Sequence, residues 1–343
     1  MSKKQSLAGI CFVGIQKHSA DQFHDEDLTM DWMGESMKIA RRNEEVNSVC
    51  RSLATEFSKK GFNRCILKGQ SNHLYYPKEL ASSRMPGDVD IWAWPKEGKA
   101  QWVKRTMLWL EKTGKIKSLA YLHAEMEPVN GVPVEVHFRP TFLNEPIHNH
   151  RLQKWFWEHC NDSVMTAKTE EGLEVSMLKP VYNIIFQLVH IYRHLLDEGI
   201  GLRQLLDYYF LLTGTVNALT NNEKQEIRHC LSYFGLDRIA GAVMYVLQKV
   251  FAMDSKYLII GVDEKYGRQL LDEILIAGNF GHYDPRLKYI GEASHKTSYQ
   301  VRHAMRRFCR NARFFKAYPS EVICEPFARV VHFWWRKFRL WRF

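Results

Sequence analysis

The chain has 343 residues, enough for roughly two packed units at about 100–200 residues each. At 45% hydrophobic and 25% charged residues it matches the globular average, which excludes disordered, collagen-like and coiled-coil classes. The net charge of +10 lies at one end: residues 302–343 hold eleven Lys or Arg against two Glu, and the other 301 residues are nearly neutral. Any electrostatic attraction to nucleic acid or an anionic membrane therefore belongs to the tail.

The longest N-terminal apolar run, Leu7 to Ile15, is about half of the roughly 20 residues a bilayer crossing needs. Lys3 and Lys4 precede it as in a signal peptide, but Gly9 and Gly14 interrupt it and no Ala-x-Ala follows, so export is not expected. Seven scattered cysteines without a Cys-x-x-Cys pair fit a reducing cytoplasm better than a disulfide framework or a zinc knuckle.

Helical spacing of Met33, Met37, Ala40, Val46, Val49, Leu53 and Phe57 predicts one or two amphipathic helices over 31–60, ended by Gly61. Cys65-Ile66-Leu67 is a short buried strand that stops at Lys68-Gly69, and 70–86 reads as a short helix and a polar loop. Val89 to Trp94, closed by Pro95, predicts a second strand, followed by a helix over 98–113. Two extended runs between Ile116 and Arg139 join at Asn130-Gly131, a dipeptide that tolerates the positive φ of a tight hairpin turn. From Leu178 only helical patterns follow, at about 181–198, 202–213, 223–234, 236–252, 266–278 and 299–315.

The chemistry concentrates in Gly87-Asp88-Val89-Asp90-Ile91-Trp92. On a strand, Asp88 and Asp90 point to one face and Val89 and Ile91 to the other. In Val134-Glu135-Val136-His137-Phe138 the same alternation pairs Glu135 with His137 on the polar face. If the two strands are neighbours, three carboxylates converge on a hard divalent cation such as Mg²⁺, which prefers oxygen ligands and also takes substrate phosphates. His137 reads as a polar sheet-face residue without a ligand role. Gly69 permits close backbone approach to a phosphate, and Lys68 and Arg84 are either phosphate ligands or ordinary surface bases.

Ile66-Leu67-Lys68-Gly69, Leu74-Tyr75-Tyr76-Pro77, Arg84, Gly87 to Ile91, Val134 to Phe138, His190-x-x-x-His194 and Gly201 to Asp207 occur in that order. This succession resembles the uncharacterised nucleotidyltransferase family of the DNA polymerase β-like superfamily, over about residues 45–215. The superfamily usually closes its first strand with Gly-Ser or Gly-Gly, whereas Gly69 here is followed by Gln70. The resemblance implies an α+β fold: a nucleotidyltransferase palm, a mixed sheet flanked by helices, with a mostly helical C-terminal half. It implies metal-dependent transfer of a nucleotidyl group from an NTP, with Mg²⁺ or Mn²⁺ on Asp88, Asp90 and Glu135 and with Lys68, Gly69 and Arg84 at the phosphates. The acceptor is left open among RNA, protein and small molecule. The rival reading is a non-catalytic nucleotide- or nucleic-acid-binding module on the same scaffold.

The expected division is an N-terminal helical segment packed on the palm over 1–60, the palm over 61–160, a helical domain over 161–300 and a basic aromatic tail over 301–343. On a wheel of 181–198, Asn183, Gln187, His190, His194 and Asp197 oppose the apolar arc, so the two histidines are expected outside the core, as a metal pair, cleft-facing groups or a polar interface. Asp207 falls on a nearly all-apolar helix and needs a partner. Arg203, one turn earlier, is expected to supply it as a structural ion pair, unless Asp207 reaches the cleft to orient Lys68 or the acceptor. Residues 327–343 interleave Phe and Trp with Arg and Lys, a pattern for stacking on nucleic-acid bases, for lying in a membrane interface, or for packing its rings on the helical half.

Overall fold

The structure is a computed structural model that describes residues 1–17, 25–97, 101–169, 172–286 and 305–338. The start of the helices expected at 98–113 and 299–315, and the tail beyond residue 338, lie outside the described residues.

The fold is mixed α+β, built on a seven-stranded sheet. The N-terminal part consists of α1 (Ala8–Gln16) and one long helix, α2 (Glu26–Lys59), whose cap Asp25 accepts the Leu28 N–H. Strand β1 (Phe62–Ile66), a 3₁₀ helix (Gly69–Tyr75), the short α3 (Lys78–Ala81), β2 (Val89–Pro95) and α4 (Trp102–Lys112) follow. The span 116–139 holds three strands where two were expected: β3 (Ile116–Leu119), β4 (His123–Val129) and β5 (Val132–His137). The β4–β5 turn places Asn130 at φ 50° and Gly131 at φ 73°, the left-handed pair that a two-residue hairpin requires.

After α5 (Pro146–Glu158) comes a hairpin that the sequence reading passed over, β6 (Val164–Lys168) and β7 (Glu174–Leu178). Strand β7 pairs in parallel with β1 at Ile66↔Met177, so the palm sheet runs past the expected boundary at residue 160 to Leu178. The strand order is β3-β4-β5-β2-β1-β7-β6, and β2 and β5 form the second parallel pair. All later elements are helices: α6 (Pro180–Asp197), α7 (Leu202–Thr215), α8 (Asn221–Tyr233), α9 (Asp237–Phe251), α10 (Glu264–Ala277), α11 over 305–312, and α12 (Pro319–Phe338).

The period-two pattern of β2 gives the sheet two cores. Val89, Ile91 and Ala93, with Val134 and Val136 of β5, pack on Val46, Val49, Cys50, Leu53 and Phe57 of α2. Trp92 and Trp94 point the other way, into the large core formed by Ile184, Ile185 and Leu188 of α6 and the helices behind it. Asp90 shares that second face, so its carboxylate is turned toward the helical half. Among the described residues no single helix is long and apolar enough to cross a membrane.

Within the tail, residues 310–318 pack on the helical half, one of the three expected readings: Arg310 and Asn311 donate to the Leu196 carbonyl and Tyr318 meets Tyr192. Helix α12 then reaches the palm: Trp335 is fully buried against Phe138, with Arg139 and Tyr121 beside it, and His332 stacks on Tyr121. Glu321 accepts the backbone N–H groups of Asn144 and Glu145 at 2.7 and 3.0 Å, and Arg329 reaches Asp197 at the end of α6. The other side of the helix, Ile323, Phe327, Val330, Trp334 and Phe338, is exposed.

Candidate active site

The parallel register of β2 and β5 sets Asp90 beside Glu135 and Trp92 beside His137. Ligand atoms of Asp88, Asp90 and Glu135 lie within 4.8 Å of one another. Crowding like charges is costly unless cations answer them. Two groups do so here. Lys68, at the end of β1, stands 2.9 Å from Asp90 Oδ2 and 3.5 Å from Asp88 Oδ1. His137 Nε2 is 3.0 Å from Asp90 Oδ1 and 3.4 Å from Glu135 Oε2. Asp90 is buried at 1% exposure, whereas the side chains of Asp88 and Glu135 keep 33% and 25%, so the cluster has a closed floor and an open mouth.

The electrostatics follow from those contacts. Burial pushes the Asp90 carboxyl up, but the Lys68 charge and the His137 hydrogen bond outweigh it and hold the pKa below the usual value. Burial likewise works against Glu135, yet the His137 hydrogen bond and the neighbouring His123 and His137 bring it down to about 2. Burial disfavours charge on Lys68 and His137, and the surrounding carboxylates overcome it in both, raising their pKa values. The cluster is thus a network of ionised carboxylates compensated by cations.

The turn after β1 is tight: Gly69 has φ 69°, and a side chain there would stand 3.7 Å from the Asp88 carbonyl oxygen. The helix that follows is a seven-residue 3₁₀ segment whose Gly69 to His73 are buried. Its polar side chains are tied to both flanking layers, Gln70 to Asn47 of α2 and Asn72 to Gln187 of α6.

Three residues sit differently from the sequence expectation. Arg84 is neither a surface base nor a free phosphate ligand, being 4% exposed with its Nε and Nη2 bonded to Asp207 at 2.6 and 2.7 Å. Asp207 consequently pairs with Arg84 of the palm rather than with Arg203, and also accepts the Tyr76 hydroxyl at 2.7 Å. Arg203 instead donates to the Met85 carbonyl at 3.0 Å. Burial raises the Asp207 carboxyl and the Arg84 charge more than offsets it. Between this pair and Lys68 lies a cavity of about 20 Å³, room for one water, lined also by His190, Gln187 and Arg203.

His190 and His194 lie at a polar interface, one of the three expected readings, and are buried at 8% and 9% exposure, on the arc whose Asn183 and Gln187 bond to Tyr75 and Asn72. Burial first, then each other's proximity or Arg193, and Lys68, lower both pKa values well below normal. Among the described residues neither joins a group able to hold a metal ion.

One residue went unread in the sequence. His123 opens β4 opposite His137, with its Nδ1 3.3 Å from Glu135 Oε2. Burial and the proximity of His137 lower its pKa to about 4. A cavity of about 820 Å³ between α12 and the α4 and α5 region is lined by none of the three acids.

No curated protein matches the chain. Among solved structures, that of an antigenic nucleotidyltransferase-like protein from Paracoccidioides brasiliensis is similar at 13% identity and a TM-score of 0.39, over 66% of this chain and 97% of that one. The profile of the family described as "uncharacterised nucleotidyltransferase" matches residues 1–252, a span that takes in the sheet, the three acids and the helices against them. With that match over most of its length, the chain belongs to the uncharacterised nucleotidyltransferase family.

Proposed function

We propose that the protein is a metal-dependent nucleotidyltransferase that moves a nucleotidyl group from an NTP to an acceptor that is RNA, a protein or a small molecule. The observation that carries this reading is the convergence of Asp88, Asp90 and Glu135 at the open mouth of a cluster whose floor is closed. The donor set fits Mg²⁺ or Mn²⁺, since all three groups offer carboxylate oxygens. The position of the Lys68 ammonium, 2.9 Å from the buried Asp90, supports the fit by marking where a cation is stabilised.

Asp88, Asp90 and Glu135 would hold the ion, which when bound supplies charge neutralisation at the triphosphate and lowers the pKa of the attacking hydroxyl. Lys68 donates to phosphate oxygens once it is released from Asp90, and Gly69 lets the backbone come close to them. His137 fixes Asp90 and Glu135 by donating between them. With its pKa near 2, Glu135 stays an anion across physiological pH, which suits a ligand better than a proton acceptor. Arg84 holds α7 against the palm through Asp207 and leaves phosphate binding to Lys68.

One observation favours the binding-module reading: Lys68 already neutralises part of the acidic cluster, so an NTP could be bound without transfer. Incubation with each α-labelled NTP, Mg²⁺ or Mn²⁺ and a cell extract tests the two. Transfer predicts acceptor label that requires the divalent ion and vanishes in Asp90→Asn. Label that is absent throughout, or unaltered in the variant, rejects it.

A further inference from the structure

The acids are not the only ligand set on this sheet face. His123 Nδ1 and His137 Nε2 approach the same oxygen, Glu135 Oε2, from two strands, at 3.3 and 3.4 Å. One ligand atom from each of the three residues lies within 4.8 Å of the others. Bonds of about 2.0–2.1 Å in tetrahedral geometry separate neighbouring ligand atoms by about 3.3–3.4 Å, so these two edges already have the length that a shared ion demands. The arrangement is poorly explained as hydrogen bonding, because the buried His123 Nδ1 has no hydrogen-bond partner despite its proximity to the carboxylate. A buried nitrogen without a partner calls for a cause, and an ion is one.

We propose that His123, Glu135 and His137 form a separate binding site for a first-row transition-metal divalent ion, sharing Glu135 with the all-oxygen set. Two imidazoles and one carboxylate are the donor set of many catalytic zinc sites and of non-haem iron centres, and hard Mg²⁺ avoids nitrogen ligands. The site is built on rigid elements, since His123 and His137 are register partners across the β4–β5 ladder. Access is open: the side chains of His123 and Glu135 are 18% and 25% exposed, leaving an entry path and room for a water or substrate oxygen as a further ligand.

The inference shares Glu135 and His137 with the proposed active site, and its test needs neither nucleotide nor acceptor. Co²⁺ is titrated into the full chain and followed by its visible absorption, which is intense in low-symmetry four-coordinate sites with nitrogen ligands. The expected result is one equivalent of Co²⁺ whose band persists in a large excess of Mg²⁺ and in Asp88→Asn. His123→Ala should weaken binding by more than about 100-fold, and His123→Asn, which keeps a polar group on the strand, serves if the alanine variant melts early. Absence of the band, its removal by Mg²⁺, or wild-type Co²⁺ affinity in the folded His123 variant overturns the site. The NTP-labelling experiment is unaffected by any of these outcomes, so failure of one reading is distinguishable from failure of the other.

Discussion

Two carboxylate sites lie where the sheet layer meets the helical half, and they are wired in opposite ways. At Asp207, both carboxylate oxygens are satisfied: Arg84 engages them side by side, Tyr76 adds a hydroxyl, and all three residues are less than 10% exposed. At Asp88, Asp90 and Glu135, the compensating Lys68 and His137 are shared among three acids, and two of the acids keep an open side. A saturated ion pair has no valence left for a ligand and serves as a clamp. An under-saturated one costs stability in isolation and is worth keeping where something else binds.

That contrast is sharpest in a pair of substitutions. Asp90→Asn should lower NTP-dependent transfer by at least about 10³-fold, the equivalent of about 4 kcal/mol, with only a modest fall in melting temperature, because Lys68 keeps Asp88 and His137 keeps Glu135 as a remaining partner. Labelling kinetics beside calorimetry read both halves, and a loss of the fold would make this cluster structural too. Asp207→Ala should do the reverse, costing about 3–5 kcal/mol of stability by stranding Arg84, while transfer per folded molecule survives at a permissive temperature. Denaturant titration of that variant checks it.

The pH dependence of the metal-free protein is a smaller effect. Glu135 falls to about 2 from an ordinary value of 4.5, so its contribution to stability is present above about pH 4.5 and is lost as the pH drops toward 2, by at most about 3 kcal/mol. Asp90 and Asp207 are lowered too and act in the same direction. His137, whose pKa is raised, contributes fully below about 6.5 and loses that contribution as the pH rises through its folded value. Urea unfolding at a series of pH values should show the acid limb flatten in Glu135→Gln.

The smallest expected change separates the clusters by their cations. Lys68→Met should raise Mn²⁺ affinity in the absence of nucleotide by about tenfold, about 1.4 kcal/mol, by removing the internal competitor. It should also weaken NTP binding. Isothermal titration with each ligand measures both shifts, and a fall in Mn²⁺ affinity would mean that Lys68 organises the acids instead of competing at them.

How far the sequence carried depends on the range of the interaction. Period-two alternation was enough to place Asp88, Asp90 and Glu135 on one face, because it is a property of single strands. Asn130-Gly131 was enough to place the hairpin turn. His123 was not legible: extending the Val129↔Val132 pairing regularly would set Ala124 opposite His137, and a register shift between Met126 and Val129 puts His123 there instead. The partner of Asp207 was missed for a similar reason, since Arg203 is its neighbour along the helix and Arg84 is 123 positions away in the chain. The wheel of α6 identified the polar arc of His190 and His194, and a polar interface was among its readings; the arc's Gln187 bonds to Asn72 of the 3₁₀ segment. The β6–β7 hairpin escaped because two five-residue strands with half-exposed patterns carry little periodic signal.

The central claim is that the three acids hold a divalent ion for an NTP, and Mn²⁺ binding followed by electron paramagnetic resonance, with and without a non-hydrolysable NTP analogue, tests it most directly. The account predicts that wild-type protein binds Mn²⁺ more tightly when the analogue is present, and that Asp90→Asn loses this enhancement while remaining folded. Mn²⁺ affinity and nucleotide enhancement equal to wild type in Asp90→Asn would contradict it.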